Sequence, residues 1–358
     1  MNIAVIGCGY WGPNLIRNFN SIPGSTVEVC CDLDPKNLDR MQSLFPMVKA
    51  TKKYREIIQS ENIDAVAIAT PVFSHYKLAK EFLEANKHVF VEKPLAATSD
   101  QCLDLIRIAK EMDKVLMVGH TFEYTAAVNK IKDILKGGEL GEILYISSLR
   151  LNLGLFQPDI NVVWDLAPHD ISIILYLLGK EPTKVSGHGK AHYFKNIEDV
   201  ATATLHFNNG EIAFLHQSWL DPYKVRRMTV VGSKKMLVYD DVEPNEKIKI
   251  FDKGIDAPMQ YDNFGEFQFA YHYGDIFSPR IEDREPIRVE CEHFIECIRE
   301  KKVPKSDGYS GLRVVSIIEA ICKSIHNGGG EIKIQNGFSD SKNGNFKSAI
   351  RSTSPSKK

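Results

Sequence analysis

The chain has 358 residues, 45 Lys and Arg against 46 Asp and Glu, and a formal net charge of −1. At ~150 residues per domain that length predicts two domains, and 43% hydrophobic with 25% charged residues is an ordinary globular balance. Near-zero charge argues against a nucleic-acid binder, which carries a basic excess, and no apolar run approaches the ~20 residues of a membrane span. Asn2-Ile3-Ala4-Val5-Ile6 lacks the basic flank of a signal peptide. Seven cysteines without framework spacing predict reduced thiols in a cytoplasmic protein.

The first third alternates apolar β-rich runs (2–7, 26–31, 63–69, 88–91 and 115–118) with amphipathic stretches such as Ser74 to Asn86 and Ser99 to Met112. Strands alternating with helices predict a doubly wound parallel sheet, buried on both faces. The first run leads directly into Gly7-Cys8-Gly9-Tyr10-Trp11-Gly12, followed by a helical pattern. In that context Gly7 allows the tight turn, Gly9 the approach of a pyrophosphate and Gly12 close helix–strand packing. The free N–H groups and the helix dipole then favour phosphate. Asp32, twenty residues past Gly12 and ending the second strand, is placed to accept hydrogen bonds from an adenosine ribose. Its charge would repel a 2′-phosphate, and no arginine follows in Leu33-Asp34-Pro35, so NAD is expected rather than NADP.

Two further strand ends carry polar residues: Ala69-Thr70-Pro71, with His75 one turn on, and Val91-Glu92-Lys93-Pro94. Ligands on such sheets bind beyond the carboxyl ends of the strands. By themselves, His75 reads equally as a residue bordering the cofactor or as a cap or packing residue, and Lys93 as a donor to a substrate oxygen or, with Glu92, as a solvated pair.

After about residue 120 the grammar changes. A helical stretch ends at Lys136-Gly137-Gly138, and strand-like runs follow at 142–151, 182–193, 199–207, 211–219, 225–232 and 247–251. Asn208-Asn209-Gly210 predicts a hairpin. An apolar helix, Asp165 to Leu178, interrupts the series, and helices near 286–300 and 310–327 close it. The expected architecture is a Rossmann domain (1–121) followed by an α+β domain with an open, mostly antiparallel sheet (122–336). Residues 337–358, Ser/Asn/Lys-rich, have the composition of a disordered tail. Asp165 and His169, four apart, share a helix face; alone, His169 reads first as a histidine making a local bond. Cys291, His293 and Cys297, and likewise His188 and His192, predict packing rather than a metal site. Arg226-Arg227 and Lys234-Lys235 flank a Gly-Ser turn and read as a solvated hairpin, or as a cationic patch for a diphosphate.

Together the glycine fingerprint, Thr70-Pro71, His75, Glu92-Lys93-Pro94 and Trp164-Asp165-Leu166-Ala167-Pro168-His169-Asp170 resemble the glucose–fructose oxidoreductase / inositol dehydrogenase (Gfo/Idh/MocA) family over roughly residues 2–335. The resemblance implies an NAD-dependent oxidoreductase with Lys93 and His169 as catalytic pair and Asp165 supporting them. It implies cofactor contacts from Gly7, Gly9, Tyr10, Trp11, Gly12, Asp32, Thr70, Pro71, His75, Glu92 and Lys93, no metal, and a homodimer or homotetramer. The run Gly9 to Leu15 with Arg17-Asn18-Phe19 resembles the branch that oxidises C3 of UDP-N-acetylglucosamine or its uronate. The expected substrate is then a nucleotide sugar, and an aminotransferase is expected to consume the product. Asn161-Val162-Val163-Trp164 and Phe122-Glu123-Tyr124 depart from the family pattern and bear on the substrate rather than the fold.

Overall fold

In a computed structural model, which describes residues 1–256, 270–282 and 284–334, the chain opens as six strands alternating with helices. These are β1 (Asn2–Ile6), α1 (Gly12–Asn20), β2 (Thr26–Cys31), α2 (Pro35–Leu44), β3 (Lys49–Thr51), α3 (Tyr54–Gln59), β4 (Ala65–Ile68), α4 (Val72–Glu84), β5 (His88–Glu92), α5 (Ser99–Glu111) and β6 (Leu116–Gly119). The strands form one parallel sheet in the order β3-β2-β1-β4-β5-β6. Strands with helices on both faces need apolar side chains on both faces. Accordingly Ala65, Val66, Ala67 and Ile68 of β4 are all fully buried. The order reverses between β1 and β4, and that switch point opens the crevice at the carboxyl ends where ligands bind.

A 3-10 turn (Thr121–Tyr124) and α6 (Ala126–Lys136) lead into the second layer. Its elements are β7 (Ile143–Leu153), α7 (Val162–Leu178), β8 (Lys184–Lys190), β9 (Val200–His206), β10 (Ile212–Ser218), β11 (Leu220–Gly232), β12 (Met236–Asp240), β13 (Ile248–Asp256), β14 (Ala270–Phe277), α8 (Pro286–Glu300), α9 (Gly308–His326) and β15 (Ile332–Lys333). The described strands pair in the order β14-β13-β12-β11-β7-β10-β9-β8-β15, antiparallel except for β10 on β7. The sheet is therefore mixed but mostly antiparallel. The Asn208-Asn209-Gly210 hairpin joins β9 to β10, with Gly210 at φ 91°. The sequence pattern does not predict β3, β12 or β14. The first is only three residues long, and the other two lean on neighbouring strands rather than on an alternation of their own. The tail of residues 337–358 lies outside the described residues.

Side chains of α6, α7 and α9 and one sheet face make the second core, with Ile171, Ile174, Leu205, Leu215, Val230 and Ile318 buried in it. The other sheet face presents Tyr145 and Phe214, exposed with rings 6.1 Å apart. Helix α8 does not join this layer. Its Cys291, Phe294 and Ile295 pack into the first core beside Phe19 and Phe90, with ring centroids 6.1 and 5.8 Å from Phe294. Leu312 and Val315 of α9 reach the opposite face of the parallel sheet. The two closing helices thus clamp the layers together and fix the crevice between them.

Candidate active site

The glycine loop folds as its residue types dictate. Gly7 sits at φ 94°, and a Cβ there would lie 2.4 Å from the Ala69 carbonyl oxygen. At Gly12 a Cβ would lie 2.3 Å from the carbonyl oxygen of Gly7, whereas at Gly9 it would meet nothing within 4 Å. Two glycines therefore serve packing, and the third leaves open backbone facing the crevice. Helix α1 starts without a side-chain cap, so its first N–H groups remain free for an anion. Asp32 at the end of β2 accepts from Cys8 N (2.7 Å), Asp34 N (2.8 Å) and Asn37 Nδ2 (3.2 Å), which holds its carboxylate beside the loop. Tyr10 is 79% exposed and packs edge-to-face on Trp11 at 5.2 Å. Free helix amides, an open glycine and a fixed carboxylate together fit a dinucleotide's pyrophosphate and ribose.

Thr70 and Pro71 follow β4, and Thr70 Oγ1 accepts from Ser74 Oγ at 2.7 Å. His75 lies behind this loop, 1% exposed. Its Nδ1 is 2.8 Å from the Pro94 carbonyl oxygen and its Nε2 is 2.7 Å from that of Thr70. The ring thus ties together the loops that follow β4 and β5, and burial pushes its pKa down. The Glu92 side chain is also turned inward, 8% exposed, and burial raises its carboxyl to about 7. Both residues meet the crevice through the backbone they hold rather than through exposed side chains.

Lys93, Asp165 and His169 come together. Lys93 Nζ donates to the Asp165 carbonyl oxygen at 3.0 Å and lies 3.9 Å from Asp165 Oδ1. Burial lowers the Lys93 pKa, opposed by the charges of Asp165 and Glu92. The carboxylate is held from its other side by Trp219 Nε1, which donates to Oδ2 at 3.0 Å. His169 follows one turn later on α7. The helix starts at Val162 rather than Asp165, because the Asn161 side chain caps it by accepting from Trp164 N at 3.1 Å. Burial, then the positive charges of Lys93 and Arg150, hold His169 well below the usual imidazole range, so it is neutral at pH 7. Its ring meets Phe122 edge-on at 5.0 Å, and the Arg150 guanidinium lies 4.8 Å from the centroid of the same Phe122 ring. Arg150 is itself buried in an ion pair with Asp170, 2.8 Å from Nη2 to Oδ1. Next to it on β11, Arg226 pairs with Asp241 at 3.3 Å, and its charge also bears on Lys93 and His169.

Trp219, Arg150 and the Phe122 contact escape sequence reasoning. They arrive from separate strands and turns, and only the apolar end of the 211–219 run hints at Trp219. Arg226 is visible in the sequence as part of a cationic pair, but not its place near Lys93 and His169. His192 is held by Asp199, with Nδ1 2.6 Å from Oδ1, and His293 Nε2 lies 3.4 Å from Cys297 Sγ.

Residues 1–120 match the model of an oxidoreductase family with an NAD-binding Rossmann fold, and residues 128–238 match the GFO/IDH/MocA C-terminal domain. The chain belongs to the Gfo/Idh/MocA oxidoreductase family. As a member it is an NAD-dependent oxidoreductase. Among relatives, it is 25% identical to UDP-N-acetylglucosamine 3-dehydrogenase of Acidithiobacillus ferrooxidans over 88% of this chain and 94% of that one. The solved structure of that enzyme superposes with a TM-score of 0.75, covering 91% of this chain and 98% of the other. It is also 26% identical to the NAD-dependent scyllo-inositol 2-dehydrogenase of Bacillus subtilis, over 84% of this chain and 87% of that one. Myo-inositol 2-dehydrogenase of Thermotoga maritima is 25% identical over 91% and 96%.

Proposed function

We propose that this member oxidises a secondary hydroxyl, at C3, of a nucleotide-linked N-acetylhexosamine such as UDP-N-acetylglucosamine. The observation that carries the chemistry is the junction of Lys93 Nζ with Asp165 at 3.0 Å, one helical turn from a neutral His169, at the carboxyl edge of the parallel sheet. Gly7, Gly9, Gly12, Asp32 and the Thr70 and Lys93 loops would hold NAD, which would supply the acceptor for two electrons and the carbon-bound hydrogen. His169 takes the hydroxyl proton on its free lone pair. Lys93 donates a hydrogen bond to the oxygen as negative charge builds on it. Asp165 fixes the lysine, and Trp219 fixes Asp165.

Two features favour a nucleotide sugar. Phe156 packs against Tyr193 (5.1 Å), Phe194 (6.2 Å) and Trp219 (5.5 Å), building an aromatic wall that continues from the residue gripping Asp165. Such a wall suits a sugar ring or a base. Arg226, beside the same centre, supplies a charge for a phosphate or a uronate carboxylate. The similar identity to the two inositol dehydrogenases supports a second reading, a free polyol as substrate with the same residues in the same roles. Retention of Lys93, Asp165 and His169 weighs against a non-catalytic dinucleotide sensor.

The reading extends to the setting. The exposed Tyr145–Phe214 face supports a homodimer or homotetramer closing over the open sheet. The enzyme would work in the cytoplasm, and an aminotransferase would convert the 3-keto product for cell-surface polysaccharide or lipopolysaccharide assembly. The test couples the protein to a 3-keto-sugar aminotransferase with glutamate, which pulls an otherwise uphill oxidation, and seeks the 3-amino sugar by mass spectrometry. Myo-inositol and free hexoses run in parallel. Turnover of those alone hands the case to the polyol reading.

A further inference from the structure

Behind the catalytic helix lies a second buried imidazole that none of the chemistry above uses. His120 follows β6 and begins the 3-10 turn Thr121–Tyr124. It is fully buried, and neither of its ring nitrogens has a hydrogen-bond partner among the described residues. The same is true of Nδ1 of His169. Buried polar atoms are rarely left unpaired, and three on two imidazoles that bear on each other call for bound water or a function. The charges of Lys93 and of Arg313 both bear on His120, so the ring lies within electrostatic reach of the lysine and of α9.

Arg313 lines a cavity of about 660 Å³ together with Ser172, Tyr176, Glu123 and Lys305. Ser172 and Tyr176 lie three and seven residues beyond His169, on one stripe of α7, so the cavity begins one turn behind the catalytic ring. Glu123 stands three residues past His120, and Glu123 N donates to the His120 carbonyl oxygen at 2.9 Å, which closes the turn between them. Glu123 is 3% exposed, and burial raises its carboxyl to about 8, so it can gain or lose a proton near neutrality.

We propose that His120 is a relay residue, passing the proton taken up by His169 through bound water to Glu123 and out by the cavity behind α7. The inference rests on His169 being the proton acceptor proposed above. Bookkeeping closes simply: one hydroxyl proton enters at His169 and one leaves at the cavity, while the electron pair and the carbon-bound hydrogen go to NAD. His120 accepts at one nitrogen and releases from the other. The charged groups that bear on it are Lys93 after β5 and Arg313 on α9, and it bears in turn on His169 of α7. Their positive members keep the ring neutral between turnovers, with burial the largest cause of a pKa near 3.

The experiment compares wild type with His120→Phe and His120→Ala, using UDP-N-acetylglucosamine and, separately, myo-inositol as probes. His120→Phe should slow turnover about tenfold or more and raise the solvent deuterium isotope effect, with NAD binding unchanged by calorimetry. Added imidazole should recover part of the rate in His120→Ala and none in His120→Phe. A His120→Phe enzyme with wild-type rate and isotope effect overturns the relay. A wild type that turns over neither probe overturns the substrate reading alone. The relay is then read without substrate, from nitrogen-15 spectra of the histidine rings. Water-linked rings exchange their N–H protons within milliseconds, and slow exchange at both His120 and His169 overturns it.

Discussion

Replacing Glu92 by glutamine keeps the shape of a buried side chain and removes its titration. Burial raises this carboxyl from 4.5 to about 7, against the pull of Lys93. An unfolded chain releases the proton near pH 4.5, while the folded protein keeps it until about 7. Stability therefore falls as pH rises through that window, and the loss is complete above it. At about 1.36 kcal/mol per pH unit, the window corresponds to a penalty of about 3 kcal/mol carried by the wild type at pH 8. Glu290, whose carboxyl is raised by burial and then by the Glu92 charge, is relieved by the same change and in the same sense. Urea unfolding of both proteins at pH 5, 6, 7 and 8 reads the difference directly. The variant should be under about 1 kcal/mol more stable at pH 5 and about 3 kcal/mol more stable at pH 8. A difference that stays constant, or shrinks with rising pH, refutes the reasoning.

Other consequences follow from the same contacts. Trp219→Phe removes the donor to the Asp165 carboxylate, a bond to a charged group worth about 1.5–3 kcal/mol, and should lower kcat about tenfold with little change in KM in steady-state assays. Asp170→Asn leaves Arg150 buried without its counter-charge and should cost about 3–5 kcal/mol in urea unfolding. NAD should bind at least tenfold more tightly than NADP, a gap of ~1.4 kcal/mol, and Asp32→Ala should narrow it in calorimetric titration.

The parts of this molecule legible in its sequence are those where one short segment dictates its own geometry. Gly7, Gly9 and Gly12 announce a strand–turn–helix because no other residue fits two of those positions. The Asp165/His169 spacing announces a shared helix face. Helix α7 starts three residues before the Asp165 that its apolar pattern predicts, because the Asn161 side chain caps it at Trp164 N, a role the sequence pattern does not mark. What stays hidden depends on chain segments far apart. Trp219 reaches Asp165 across 54 positions, and Arg150 reaches Asp170 across 20 while lying over Phe122. Helix α8 has an amphipathic pattern that fits either layer, and only the Phe19–Phe90–Phe294 cluster decides for the first. His120 carries no pattern at all; its interest lies in the partners it lacks.

The most direct test of the central claim uses UDP-N-acetylglucosamine deuterated at C3. The enzyme is incubated with it and NAD, with the 3-keto product drawn off by an aminotransferase and glutamate, and the reduced cofactor is weighed by mass spectrometry. The account predicts NADH heavier by one deuterium, formed at least ~10²-fold more slowly by Lys93→Met and His169→Ala. Unlabelled NADH, or variants as fast as the wild type, would contradict it.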